Sequence, residues 1–232
     1  MLSRSNIIVS RYFILLLLIL CYFSSISSAI AQTNSAGEQW QVWRSNKTLS
    51  VSYQVDPLSG LNIIKAHAVV HSTLSGFMLF LQDTQHIPDW LANAQRSEVI
   101  KQISPYENIF ITYFDTVWPV TPRNMVLHST YQQLTDGSIS ITVNDAAQAI
   151  PSIPQSIRMT ALLTKWHIMP LPEHQISINY QVQVDPNGDI PHWLINKLAL
   201  KAMWQTLKNI EQQLPKSHWQ QQSLTTIKEK SF

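Results

Sequence analysis

The chain is poor in cysteine, glycine and charged residues. It has one cysteine and five glycines, and only 13% of its residues are charged. The cysteine, Cys21, lies in an apolar run near the start, so loss of that segment would leave no disulfide and no thiolate site. The sequence contains no phosphate-binding glycine loop, no Gly-x-Ser-x-Gly elbow and no His-Glu-x-x-His motif. The enzyme classes that depend on these motifs are therefore disfavoured.

The first 31 residues have the pattern of a secretory signal peptide. Arg4 and Arg11 precede an apolar run of about 12 residues, 12–23, and small residues follow up to Ala29-Ile30-Ala31. We expect cleavage near Ala31 and export to the periplasm or the exterior. An uncleaved membrane anchor is the alternative, but the run is shorter than the roughly 20 residues that span a bilayer.

The remaining chain of roughly 200 residues is long enough for one domain with a sizeable core. Without Arg4 and Arg11 it has equal numbers of basic and acidic residues, so its formal charge is zero. A neutral chain has no electrostatic footprint for nucleic acid, and we expect no nucleic-acid partner. We predict a flexible lead-in at 32–39, one domain at 40–215 and a polar C-terminal tail at 216–232.

Alternation of apolar and polar residues predicts an antiparallel sheet. The predicted strands are 49–54, 62–71, 98–103, 108–114, 124–132, 138–143, 157–168 and 176–184. Asp136-Gly137 predicts a tight hairpin between two of them. Helical spacing over Leu74 to Gln82 predicts a helix packed on the sheet, and Ile87 to Trp90 predicts a short turn or helix. Strands in hairpin order with helices between them indicate an α+β fold.

The last third of the chain combines an alternating strand with a long amphipathic helix. Ile178 and Tyr180 belong to the apolar face of the strand. A helix of roughly 25 residues should begin near Pro191 and end before Pro215. Its apolar stripe consists of Trp193, Leu200, Met203, Leu207, Ile210 and Leu214. A curved sheet closed by such a helix would form a deep pocket, although a stripe of this kind more often marks a plain core face.

Four segments, taken in order, resemble the START lipid-transfer domain. Trp118 to Asn124 is similar to the family's Pro-Val-x-x-Arg-Asp signature. Ser156 to Arg158, with Lys165 to Ile168, is similar to its Val-Arg and Gly-Trp strand. Asp185 to Asn196 resembles the stretch at the start of the family's final helix, and Ile87 to Trp90 fits a Trp-containing turn.

The resemblance implies a helix-grip fold, in which a curved antiparallel sheet wraps a long C-terminal helix and short helices lie between the early strands. It also implies a non-enzymatic carrier or sensor that binds a lipid or sterol-like ligand in an internal cavity. The candidate cavity residues are Phe110, Thr112, Phe114, Met125, Leu127, Ser129, Tyr131, Ile178, Tyr180, Asn196, Leu200 and Met203.

Other motif residues are expected to be structural. These are Arg123, Asn124, Asp185, Gly188, Pro191 and Trp193. Arg123 would be a hydrogen-bonding hub, and Gly188 would supply a positive φ at the turn into the helix. Ile190 and Trp193 would seat the helix on the rim of the sheet. The family's Arg-Asp pair is Arg-Asn here, so a salt bridge at that corner is in doubt.

A second departure from the family bears on the ligand. Some sterol-binding relatives hold a buried acid–base pair on two neighbouring strands, and the matching positions here are Phe114 and Ser129. Asp115 stands one place along, so a one-residue slip of the alignment would restore the acid, although alternation would turn it to the opposite face. We therefore expect a mostly apolar, neutral ligand oriented by the hydroxyls of Thr112, Ser129 and Tyr131.

Two other functions remain open, an enzyme that uses the same cavity and a protein-interaction module. The scattered candidates for acid–base work are Asp145, His167, Asp185 and His192. His67 and His71 lie on a predicted strand, about 13 Å apart, which is too far for one metal. We expect no cofactor or metal and a monomer. We also expect transient membrane contact through Lys197, Lys201 and Lys208, and opening of the pocket by the loop 115–122 and the final helix.

Overall fold

The structure is a computed structural model that describes residues 40–115 and 121–232. The predicted signal peptide, the lead-in at 32–39 and residues 116–120 of the predicted opening loop lie outside the described residues. Those expectations remain predictions.

One open, curved sheet forms the framework of the described chain. Its strands run in the order β1-β2-β3-β10-β9-β7-β6-β5-β4, and the short β8 pairs with β6 in parallel. All other pairings are antiparallel. The strands are β1 (Gln41–Ser45), β2 (Leu49–Val55), β3 (Asn62–His71), β4 (Ala94–Ser104), β5 (Glu107–Phe114), β6 (Arg123–Gln133), β7 (Ile139–Asp145), β8 (Ile157–Arg158), β9 (Thr160–Leu171) and β10 (Gln175–Asp185).

In the described ranges, three α-helices accompany the sheet. They are α1 (Leu74–Gln82), α2 (Ile87–Trp90) and α3 (His192–Gln213), and short 3-10 turns lie at Thr84–His86, Ala147–Ala149, Leu214–Lys216 and His218–Gln221. Helix α3 has 22 residues and packs on β3 and β2. Among the described residues, no helix is both long enough and apolar enough to cross a membrane.

Alternation along the strands decides which side chains face the core. On β3 the burial pattern alternates almost without interruption, and Ile64, Ala66 and Ala68 are buried. Helix α3 contributes Leu200, Met203, Leu207 and Ile210 to the same core. The α+β helix-grip fold predicted from the sequence is therefore confirmed.

Some elements differ from the prediction. The predicted strand 157–168 is divided into β8 and β9, β4 begins four residues earlier than predicted, and β1 was not predicted. Trp204 of α3 was also missed, although it is only 7% exposed. The ring of Trp43 on β1 meets the Trp204 ring edge-on, with centroids 6.4 Å apart, and the Arg44 guanidinium lies 4.6 Å from the Trp204 centroid. Burial of Trp204 therefore depends on the strand that was missed.

Trp193 does not seat the helix on the sheet, contrary to the prediction. It is 68% exposed, whereas the buried part of the stripe begins at Leu200. Helical spacing predicts only the direction of a side chain, and in this first part of α3 residues 194–196 are the half-buried ones.

Residues 216–232, predicted to be a polar tail, run back over the domain. Ile227 is buried in the core, and Trp219 packs against it. The Glu229 carboxylate accepts hydrogen bonds from the amides of Leu74 and Ser75, at 3.1 and 2.8 Å, and so caps the N-terminus of α1. Residues 216–232, which lie beyond the predicted domain boundary at 215, are therefore packed onto the domain.

Candidate ligand cavity

A cavity of about 430 Å³ lies between the inner face of the sheet and α3. Most of its lining is apolar, with side chains from the strands, from α1 and α2 and from one side of α3. A volume of this size is in the range of cavities that bind small molecules.

A row of aromatic residues closes one end of the cavity. Tyr131, Ile141, Trp166 and Tyr180 lie directly opposite one another on β6, β7, β9 and β10. The Trp166 and Tyr180 rings stack with centroids 3.8 Å apart and planes 17° from parallel. Tyr180 is half-buried, and burial raises the pKa of its hydroxyl, so the group is neutral.

Beyond this aromatic row the space is filled. Ile139, Ile168 and Ile178 occupy the next row and are fully buried. The Phe77 ring of α1 covers the Trp166 ring, with centroids 6.1 Å apart. The aromatic row is therefore the floor of the cavity.

Ten of the twelve predicted cavity residues line the cavity. They are Phe110, Thr112, Phe114, Met125, Leu127, Ser129, Tyr131, Tyr180, Asn196 and Met203. Ile178 does not, because it lies below the aromatic floor. Leu200 does not either, because it faces the core beside Ala199, which does line the cavity. Contact of the ten with a ligand stays a prediction.

The three predicted hydroxyls are not equivalent. The Ser97 hydroxyl donates its proton to the Ile111 carbonyl. The Thr112 hydroxyl lies 2.9 Å from the Ser97 hydroxyl and therefore donates its own proton to Ser97. The Tyr131 hydroxyl is paired with the Thr226 hydroxyl at 3.0 Å. Only Ser129 of the three has no hydrogen-bond partner within the part of the chain that the structure describes. Ser129 is therefore the hydroxyl that is open to a ligand.

Three polar side chains of the lining were not predicted, and each carries a buried atom without a partner among the described residues. These atoms are Asn62 Oδ1, Trp90 Nε1 and Asn108 Oδ1. Asn62 and Trp90 are only 6% and 5% exposed. Buried polar atoms are normally hydrogen-bonded, so an unpaired set around one cavity indicates partners on a ligand or on water. Nothing in the local sequence distinguishes these residues.

The predicted positions for an acid–base pair do not lie side by side. Phe114 pairs with Arg123 across β5 and β6, whereas Ser129 pairs with Asn108. Ser129 and the residue opposite it, Asn108, are therefore both uncharged. Two acidic residues are in the lining. The Glu107 carboxylate lies 2.6 Å from His128 Nε2 and is already paired, whereas Asp115, expected to face away from the cavity, is exposed directly after β5 and borders the cavity.

Arg123 is a hydrogen-bonding hub at the other end of the cavity. Its guanidinium donates to the carbonyls of Thr121, Pro186 and Asn187 at 2.7, 3.2 and 3.3 Å. Burial lowers the pKa of Arg123 from its ordinary value, but the group stays charged. These bonds tie β6 to the turn before α3.

Asn124 replaces the family's aspartate without leaving an unpaired group. Its amide nitrogen donates to the Ser156 hydroxyl at 2.7 Å, and its carbonyl oxygen accepts from Arg158 Nε. The neutral side chain therefore links β6 to β8 by hydrogen bonds, and no salt bridge is formed at this corner of the described structure.

The junction before α3 has the turn geometry expected of its sequence. Asn187 and Gly188 have φ of 52° and 75°, and the Asp185 carboxylate accepts from the Asn187 amide at 2.8 Å. Pro191 stands at the helix N-cap. Asn196 then binds the β2–β3 turn, because its side chain donates to the Gly60 carbonyl at 2.9 Å and accepts from the Asn62 amide at 2.8 Å.

None of the four acid–base candidates is in the cavity lining. His167 lies on the outer face of β9, and His192 lies against Gly60. Asp145 and Asp185 accept hydrogen bonds from backbone amides. In the described ranges, no three His, Cys, Asp or Glu side chains form a group that could hold a metal ion.

Comparison with known proteins agrees with this architecture. The sequence model of the START domain family matches residues 22–220. The chain is 23% identical over 177 residues to an uncharacterized protein of Pseudomonas aeruginosa, covering 76% of this chain and 87% of that protein.

Two solved structures show the same fold. A STAR-related lipid transfer protein fragment from Xanthomonas axonopodis has a TM-score of 0.69 and 23% identity, and the match covers 75% of this chain and 98% of that one. Human StAR-related lipid transfer protein 5 has a TM-score of 0.63 and 18% identity, with 89% and 98% of the two chains covered.

Proposed function

Because the chain belongs to the START domain family, we propose that it binds a lipid or sterol-like molecule in its cavity and carries it without chemical change. The observation that carries the proposal is the apolar cavity of about 430 Å³ enclosed by the sheet and α3. Burying several hundred Å² of apolar ligand surface there would supply on the order of 10 kcal/mol before the costs of binding. The lipid-transfer names of the similar proteins support the same function.

The ligand we propose is largely neutral. The cationic group in the cavity wall, Arg123, is engaged by three backbone carbonyls, and Glu107 is paired with His128. The open polar positions, Ser129 and Asn108, are uncharged and face each other across two strands. A hydroxyl or amide on an otherwise apolar ligand would satisfy them, whereas a charged headgroup beside them would lose its hydration without gaining a counter-ion, because Arg123 lies at the other end of the cavity.

A carrier fits the cavity better than an enzyme does. Acid–base catalysis needs a titratable group within hydrogen-bond reach of the substrate. The four candidates, Asp145, His167, Asp185 and His192, all lie outside the cavity lining. The placement of these four candidates favours binding without turnover, although the lining does include the paired Glu107 and the exposed Asp115.

The first half of α3 is the part we propose to touch a membrane while the ligand is exchanged. Trp193 and Leu198 are 68% and 49% exposed, and Leu198 is also part of the cavity lining. Lys197 and Lys201 are exposed on the same stretch. Tryptophan favours the headgroup region, and lysines favour anionic lipids. We further propose that the protein works as an exported monomer after cleavage near Ala31.

Retention of bound lipid by single variants tests the proposal. Met203→Asp places a carboxylate in the mostly apolar cavity wall, so the protein should lose its ligand because a carboxylate buried against apolar ligand surface loses its hydration. Gln205→Asp adds the same charge at an exposed position two residues away, and this variant should retain the ligand.

Each variant is purified, checked for folding by circular dichroism, and extracted with organic solvent to quantify its lipid. Equal lipid content in the folded Met203→Asp protein and the wild type would refute the cavity assignment. Chemical conversion of a lipid supplied to the wild-type protein would favour an enzyme. An empty cavity together with a stable, stoichiometric protein partner would favour an interaction module.

A further inference from the structure

The outer face of the sheet, turned away from α3, carries the same short motif on two strands. Lys65-Ala66-His67 lies on β3, and Lys165-Trp166-His167 lies on β9. Strand β10 lies between them and is antiparallel to both, so the two motifs run in the same direction. Because side chains alternate, the lysine and histidine of each motif share the outer face.

The strand register aligns the two motifs into two transverse rows. Asn179 is opposite both His67 and His167, and Gln181 is opposite both Lys65 and Lys165. We call these the histidine row and the lysine row. The neighbouring strands extend the histidine row with Ser50 and Ser140 and the lysine row with Ser52 and Thr142.

Hydrogen bonds and a ring contact position these side chains. His67 Nδ1 is 3.1 Å from Asn179 Oδ1. His167 Nε2 is 3.1 Å from the Ser138 hydroxyl, which donates to Asp136, so His167 is the donor to Ser138. The Lys65 ammonium lies 3.8 Å from the centroid of the Trp40 ring, a cation–π contact.

The two rows and Trp40 border a groove of about 510 Å³ that is separate from the ligand cavity. Neither row contains an acidic residue, and the carboxylate linked to them is Asp136, reached through Ser138. Among the described residues, Lys65 and Lys165 take part in no ion pair. Their backbones are about 10 Å apart, two strand spacings, with the Gln181 amide between them.

We propose that this groove binds the phosphate group of a small soluble molecule. Two lysine ammoniums would approach the anion from opposite sides, and the amides of Asn179 and Gln181 and the free imidazole nitrogens would supply further hydrogen bonds. Ammonium groups form strong charge-assisted bonds with phosphate oxygens. A groove of about 510 Å³ bordered by Trp40 and the strands suits a single anionic group better than a flat membrane surface.

Titration with inorganic phosphate tests this site. In the full-length protein, the ring signals of His67 and His167 should shift saturably in NMR spectra as phosphate is added. The double variant Lys65→Gln/Lys165→Gln should weaken phosphate binding at least tenfold. The matched variant Lys197→Gln/Lys201→Gln removes the same charge from α3 and should change it less than twofold. Lipid retention in the cavity should be unaffected in Lys65→Gln/Lys165→Gln.

Three results would overturn the proposal. The first is the absence of a saturable shift, and the second is an equal loss of phosphate affinity in the two double variants. The third is a protein that binds no free phosphate but binds phosphatidylglycerol vesicles in a way that depends on Lys65 and Lys165. The last result would assign the groove to membrane contact. If the double variant melts at a lower temperature than the wild type, Lys165→Gln alone should still weaken phosphate binding at least threefold, and unchanged affinity would count against the site.

Discussion

The inner and outer faces of the central strands differ in chemistry although their residues alternate along the same backbone. On β10, Tyr180 and Val182 line the cavity, whereas Asn179 and Gln181 border the outer groove. On β9, Trp166 stacks in the cavity floor, and Lys165 and His167 face outward. The inner side chains bury apolar surface and so contribute to folding and to ligand binding together. The outer ones are half-solvated, so we expect them to contribute to recognition alone.

The largest expected difference between the faces is at two adjacent residues of β9. Trp166→Ala should lower the free energy of unfolding by about 3–5 kcal/mol, because it removes a ring that packs on both Tyr180 and Phe77. Lys165→Ala, one residue away and exposed, should change it by less than about 0.5 kcal/mol. Urea unfolding followed by circular dichroism measures both. Similar losses for the two variants would contradict the separation of the faces.

A smaller effect is expected at Gly188, in the turn that joins the sheet to α3. Gly188→Ala should cost about 1–2 kcal/mol because φ is 75° and the new Cβ would lie 3.0 Å from the Ile157 Cδ1 atom. Gly137→Ala serves as the control, since its φ is 88° but the nearest atom to a new Cβ is 3.7 Å away. The difference between their thermal unfolding midpoints reports the contact with Ile157. A Gly188 variant more stable than the Gly137 variant would contradict this close packing.

The segment after α3 is expected to stabilise the fold from outside the cavity. Glu229→Ala should reduce stability by about 1 kcal/mol, since it removes the acceptor for the Leu74 and Ser75 amides at the start of α1. Lys228→Ala is the control, because Lys228 contacts the domain through its backbone, which is paired with the Gln133 side chain. Chemical denaturation compares the two. Equal stability of Glu229→Ala and the wild type would show that the cap does not hold the tail.

The smallest expected effect is a dependence of stability on acid at the end of β2. Hydrogen bonds from Ser59, from the Leu58 amide and from Gln183, the next outward residue of β10, lower the pKa of Asp56 to about 2. A carboxyl whose pKa is lower in the folded state stabilises the fold above the unfolded value of about 3.9, and this contribution is lost as the pH falls toward 2.

Unfolding midpoints measured between pH 5 and pH 2 test this. The wild type should lose more stability than Asp56→Asn over that interval, and the two should differ least at the lowest pH. Parallel curves would mean that Asp56 makes no net contribution. Because Asp56 is only half-buried and its carboxylate is screened by solvent, the difference should be small.

Periodic sequence patterns predicted the strands and helices that follow a regular apolar spacing. Period-two alternation located β3 and β10, and the apolar stripe located α3 from near Pro191 to Leu214. The family resemblance predicted ten of the residues that line the cavity. Strand β1 was missed because its residues are mostly exposed and show no apolar alternation, and the burial of Trp204 was missed with it.

Pairing across strands could not be read from the sequence. Phe114 and Ser129 were placed on neighbouring strands, as they are, but only the register of β5 and β6 shows that Arg123 and Asn108 lie opposite them. A register is set by turns and packing that act over the whole sheet, so a local motif does not reveal it. For the same reason, the unpaired Asn62 and Trp90 atoms and the aligned Lys-x-His motifs emerged only from the three-dimensional arrangement.

Native mass spectrometry of the protein purified from its own cell envelope tests the central claim most directly. We expect a mass increase from a bound hydrophobic molecule in near-stoichiometric amount, lost on extraction with organic solvent and absent from the folded Met203→Asp variant. A wild-type protein that is empty under the same gentle conditions, and stays empty when mixed with envelope lipids, would contradict it.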